Sequence, residues 1–164
     1  MNVESMEKLL VHELKDLYSA ENQILEALPR MAEKATHLEL KEAFEEHRAQ
    51  TEEHVKRLER IFDGLDFKPG GQKCKGMAGL LEEGEEVMED AGDDDVRDAG
   101  MIAAAQRVEH YEMAAYGSAR TYARLLGMNE AYQLLQKTLD EEGATDRKLT
   151  QLAEKRVNKD ALAS

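Results

Sequence analysis

The 164-residue chain has no tryptophan, one cysteine, two prolines and 5 % aromatic residues. With Cys74 alone, an intramolecular disulfide is impossible and a zinc site built from cysteines is excluded. We read Cys74 as an ordinary loop thiol rather than a redox switch or an intermolecular bridge. No window approaches the roughly 18 apolar residues of a membrane span, and "MNVESMEKLL" lacks a cationic segment leading into an apolar run. A cytoplasmic protein without a membrane partner is expected. Clusters of Lys and Arg are missing too: the formal net charge is −13, so the electrostatic footprint for nucleic acid or anionic lipid is lacking.

What the chain does have is charge and helix formers. Charged residues make up 35 %, in long runs rich in Ala, Glu, Leu and Lys, a composition of long helices that predicts an all-α fold. The length suits one domain, residues 1–164, with a core large enough to fold without metal or disulfide.

Apolar residues recur at three and four from about 5 to 35 (Leu10, Leu14, Leu17, Ile24, Leu28, Met31), which predicts one long amphipathic helix bent near Pro29. A second helix is expected from about 38 to 63, antiparallel to the first because the turn between them is short. "GLDFKPGGQKCKG" is loop chemistry. Beyond it come a short helix at 77–91 with Leu80, Leu81, Val87 and Met88 on one side, then helices at 96–126 and 129–157, and a charged, frayed tail. The aspartates of "DAGDDD" read as a solvated helix cap, and Gly127 as the stop of the fourth helix. Two helical hairpins with one long crossover make a four-helix bundle.

Each of the four long stripes carries acid or imidazole where a structural bundle would use leucine. These are Glu21 on the first helix, His47, Thr51 and His54 on the second, Glu109 and Glu112 on the penultimate, and Glu142 and Asp146 on the last. Measured from the turns at about 1.5 Å per residue, Glu21 lies level with Thr51 and His54, Glu109 with Asp146, and Glu112 with Glu142. A layer of like charges in a core is costly unless protons or cations neutralise it. Carboxylates with imidazole suit Fe(II) or Mn(II), and facing helices of a bundle are where dinuclear carboxylate sites are built.

"LYSAEN", "EEHVKRLE" and "VEHYE" resemble the corresponding helices of rubrerythrins and other ferritin-like di-iron proteins. Over nearly the whole chain, "LYSAENQILEALPRMAE", "IAAAQRVEHYEMAAYG" and "TLDEEGATDRKLTQLA" resemble the stress-induced YciE/YciF family. The resemblance implies a ferritin-like bundle with a short extra helix in the crossover, and metal ligands at Glu21, His54, Glu109, Glu112 and Glu142. His47 and Asp146 join that set on helical spacing alone. Two positions depart from the di-iron pattern: Thr51 stands where the second helix would carry glutamate, and Thr145 where the last would carry histidine.

Two functions are compatible with this sequence. One is a ferritin-like stress-response protein with a dinuclear iron or manganese centre, a possible di-metal oxidoreductase of peroxidase or ferroxidase type, working as a homodimer with an unknown reductase. The other is a non-catalytic dimeric stress protein whose degenerate site holds no metal and which acts through protein partners.

Overall fold

The computed structural model describes residues 3–164. Helix α1 (Met6–Lys34) starts on Ser5, whose hydroxyl accepts the Lys8 amide at 3.1 Å. Pro29 lies within α1 without ending it. A three-residue turn leads to α2 (Leu38–Leu65). The crossover carries α3 (Lys75–Asp90), which runs through Gly84 unbroken. Asp93 then caps α4 (Asp94–Leu125) by accepting the Asp95 and Val96 amides, the capping role expected of "DAGDDD". Gly127, in the left-handed region at φ 72°, turns the chain into α5 (Asn129–Leu152).

The last helix goes further than its apolar stripe implied. A π-helical turn, Ala153–Val157, connects α5 directly to α6 (Asn158–Ala163), so the expected frayed tail is helical. The extra residue in that turn shifts the helical phase, which keeps Val157 buried and brings Asp160 against the α1/α2 turn.

Around the bundle the neighbours run α1, α2, α5, α4 and back to α1, with α3 against α4 and α1. The apolar side of α3 therefore packs on its own bundle. Gly100 on α4 makes the close approach: a Cβ there would fall 2.4 Å from the Val87 side chain. Cys74 lies at the end of the loop before α3. It is fully buried at the N-cap of α3, where its sulfur accepts the Met77 amide at 3.3 Å and lies 3.0 Å from the Tyr111 hydroxyl. Burial pushes its pKa up, which suits anchoring rather than nucleophilic chemistry.

The core is in two parts. One contains Ile24, Leu28, Leu40, Phe44, Met101, Ile102 and Leu149; the other contains Leu10, Leu14, Leu17, Leu58, Phe62, Tyr116 and Leu135. Each buried leucine in them contributes about 2 kcal/mol. On every long helix the residues between the two parts are polar, and those residues form the site.

Candidate metal centre

His47, Thr51 and His54 follow one another at four and three along α2, and Glu109 and Glu112 at three along α4, so each set shares an inward face. With Glu21 from α1 and Glu142 from α5 they are buried in one layer. His54 Nδ1 lies 3.0 Å from Glu142 Oε1 and 3.3 Å from Glu21 Oε1. His47 Nε2 lies 3.1 Å from Glu109 Oε1 and 4.0 Å from Glu142 Oε2. The rings of the two histidines are only 6.5 Å apart between centroids, although seven residues separate them along the helix. Donor atoms fall into two groups, each within 4.8 Å: His47, Glu109, Glu112 and Glu142 in one, and Glu21, His54 and Glu142 in the other. Glu142 is common to both.

These approaches are short, yet they are not aligned as hydrogen bonds. Glu21 Oε2, both ring nitrogens of His47, His54 Nδ1, Glu109 Oε2, and both oxygens of Glu112 and of Glu142 are buried without a hydrogen-bond partner in the protein. An unsatisfied buried polar atom costs about 1–3 kcal/mol, and folded proteins hold few of them. Here they are gathered in one place, with nitrogen and oxygen donors crowded together. That is the arrangement of side chains shaped to share a cation, and carboxylate with imidazole is the donor chemistry of iron and manganese.

Protonation equilibria show the same strain. Burial, followed by the charges of Glu142, Glu21 and Glu109, pushes Glu112 well above the carboxylate range. Burial also takes Glu109 up to about 7 and Glu142 up to about 8. Glu21 goes the other way: burial raises it, but His54 outweighs burial and holds it below its ordinary value. His54 is pushed up to about 10, since Glu142 and Glu21 overcome the desolvation that would lower it. Without a cation, then, the layer is neutralised by protons, which an entering metal would have to displace.

Residues around this layer fix its orientation. His54 Nε2 donates to Glu141 Oε2 at 2.9 Å, which leaves Nδ1 facing the acids. Arg57, one turn along α2, donates to both oxygens of Glu141 at 2.6 and 3.0 Å. The Tyr116 hydroxyl donates to Glu21 Oε1. Sequence reasoning missed Glu141, although its position directly before Glu142 and beside the His54 face offered a signal.

Asp146 stands apart from the group. Four residues beyond Glu142 it is rotated by about 40° on the helix, and Gln106 Nε2 donates to it at 3.1 Å while His110 Nε2 lies 3.2 Å away. Glu109 feels the Asp146 charge, in keeping with the expected common level, and approaches His47 Nε2. His110 contacts α5 through Asp146. Tyr18 bonds Glu59 rather than Glu21.

A second buried pair went unread in the sequence. Asp98 of α4 accepts the Thr36 amide at 3.0 Å, the His37 amide at 2.7 Å and His37 Nδ1 at 2.6 Å, and so ties the α1/α2 turn to a neighbouring helix. His37 Nε2 lies 3.0 Å from Asp160 of α6.

Comparison with known proteins agrees with the geometry. Residues 5–162 match the family model described as a domain of unknown function, DUF892. The chain belongs to that family. It is 44 % identical to Protein YciF of Escherichia coli K12 over 162 residues, 98 % of each chain. The crystal structure of the E. coli stress protein YciF superposes with a TM-score of 0.91 at 43 % identity, covering 95 % of this chain and 99 % of that one. YcfI from Rhodopseudomonas palustris gives 0.88 at 40 % identity, over 91 % and 95 %. A two-domain Anabaena variabilis protein with DJ-1/ThiJ/PfpI-like and ferritin-like domains matches at 0.60 and 20 % identity, covering 94 % of this chain and 38 % of that one, which is a likeness of fold. The chain is thus a homologue of a stress protein, with a ferritin-like fold and a buried His/Glu group able to hold a metal ion. Among the described residues no helix is long and apolar enough to cross a membrane.

Proposed function

We propose that this chain holds a dinuclear iron or manganese centre and serves in oxidative or metal stress. The observation that carries the reading is the set of buried, unpartnered nitrogen and oxygen atoms on four helices. Bound there, such a metal pair supplies redox chemistry toward oxygen or peroxide. Glu142 is the residue common to both positions, Glu21 and Glu112 are terminal carboxylates, and His47 and His54 are the nitrogen ligands. His47 supplies from α2 the imidazole that Thr145 withholds on α5. Asp146 serves by fixing Gln106 and His110 on α4, outside the ligand set. Tyr116 and Glu141 orient Glu21 and His54, and the apolar clusters on either side keep water from the layer. A cytoplasmic setting, a homodimer and a separate reductase belong to this reading. Metal content per chain, measured after anaerobic Fe(II) or Mn(II) loading, tests it: about two ions are expected, with fewer in Glu112→Ala at unchanged helicity. Absence of bound metal after loading would overturn the reading.

A second reading is favoured by the two threonines. The Thr51 hydroxyl donates to the His47 carbonyl at 2.8 Å, and that of Thr145 lies 3.2 Å from the Glu141 carbonyl and 3.4 Å from Gln50 Oε1 of α2, so both are engaged away from the acids. In a metal-free stress protein acting through partners, the acids would stay protonated. Its melting temperature would then ignore Fe(II) and Mn(II), whereas a tight centre raises it by several degrees.

A further inference from the structure

The two histidines differ in what holds them. His54 is fixed at Nε2 by Glu141, whose two oxygens are gripped by Arg57, while its Nδ1 faces Glu21 and Glu142 without an aligned hydrogen bond. Consecutive residues of α5 therefore clasp opposite sides of one ring. His47 has Nε2 near Glu109, while no protein group bonds its Nδ1.

Access differs as well. A cleft of about 80 Å³ between α2 and α5 is lined by Ala43, Glu46, His47, Gln50, Thr145 and Lys148. Across it Lys148 donates to Glu46, a pair of substantially exposed side chains. Such a pair adds little stability and opens readily. A smaller cavity of about 20 Å³ also reaches His47 and Glu109 from the apolar side. Thr145 also spans the cleft, its hydroxyl donating to Gln50 Oε1 over a long 3.4 Å. His54 is fully buried, with Glu141 over its Nε2 and Arg57 over Glu141.

We infer that the two positions of the proposed centre are unequal: the one at His54 binds tightly and is held rigid by Glu141, and the one at His47 is weaker and exchanges with solvent through the α2/α5 cleft. This rests on the metal reading above. Glu141 is a positioning residue, acting through His54. Partners that orient a ligating imidazole are worth about ten- to a hundredfold in metal affinity.

Anaerobic Co(II) titration of the full chain, followed by visible absorption, tests the inference. Wild type should fill in two steps with affinities at least about tenfold apart. Glu141→Ala should weaken the tight step by about ten- to a hundredfold and change its ligand-field bands, leaving the weak step in place. Glu141→Gln, whose amide oxygen still accepts from Nε2, should recover part of the loss. His47→Ala should remove the weak step alone. Two equal steps in wild type, or Glu141 variants that move both steps or neither, would overturn the inference while leaving the metal centre standing. A wild-type chain that binds no Co(II) would sink the metal reading and this inference together.

Discussion

Asp98 and Glu112 are both fully buried carboxylates on α4, and they live in opposite surroundings. Asp98 oxygens take two backbone amides and one imidazole, so its charge is dispersed over aligned donors. Glu112 has three other acids around it and no aligned donor on either oxygen. Burial of a carboxylate is thus no guide to its purpose. The first is held by structural partners; the second has none aligned on it.

The sharpest way to break that contrast is to delete each carboxylate. Asp98→Ala should lose about 3 kcal/mol in urea unfolding, because it leaves the Thr36 and His37 amides unpaired and orphans the His37 ring. Its metal stoichiometry should equal that of wild type; a loss of metal would show that the bundle end and the centre are not separate. Glu112→Leu should do the reverse. In the metal-free protein it should gain about 2 kcal/mol, since a buried carboxyl without a hydrogen-bond partner leaves the core and apolar volume replaces it. Destabilisation of metal-free Glu112→Leu would mean that the acid already has a structural role.

A smaller effect sharpens the comparison through pH. Facing His37 are Asp98 and Asp95 of α4 and Asp160 of α6, with Arg156 next to Asp160. Burial lowers the His37 pKa, but Asp160 and Asp98 outweigh it and the value is raised. A raised folded value means that the contribution is complete below the unfolded pKa of about 6.5 and is lost as pH climbs through the folded one. Asp160 is lowered by His37 and Arg156, so its share appears above about 3.9 and fades as pH falls through its folded value. Urea midpoints of wild type and His37→Gln should therefore differ most in mildly acidic buffer and converge in alkaline buffer. A gap that stays constant or widens toward high pH would refute a charged His37.

Much of this was legible beforehand, and the reason is periodicity. The long helices and the inward row of Glu21, His54, Glu109, Glu112 and Glu142 follow from counting by three and four along single segments. What stayed hidden depends on rotations and distant partners. Asp146 falls about 40° from Glu142, too small an angle for a helical count to separate; Gln106 and His110 of α4 decide its direction. His37 and Asp98 lie 61 residues apart, joined by no spacing rule. The end of α5 was missed because a π-turn changes the period that was being counted.

The ligand atoms are also divided along the chain. Glu21, His47 and His54 belong to the first hairpin, and Glu109, Glu112 and Glu142 to the second, with α3 and its flanking loops between them. Neither hairpin owns a complete set, so the centre cannot exist before the two halves meet, and in the absence of a cation their acids repel as they do. A metal ion here would act as the clasp of a hinged box, adding to the apolar contacts that already join the two halves.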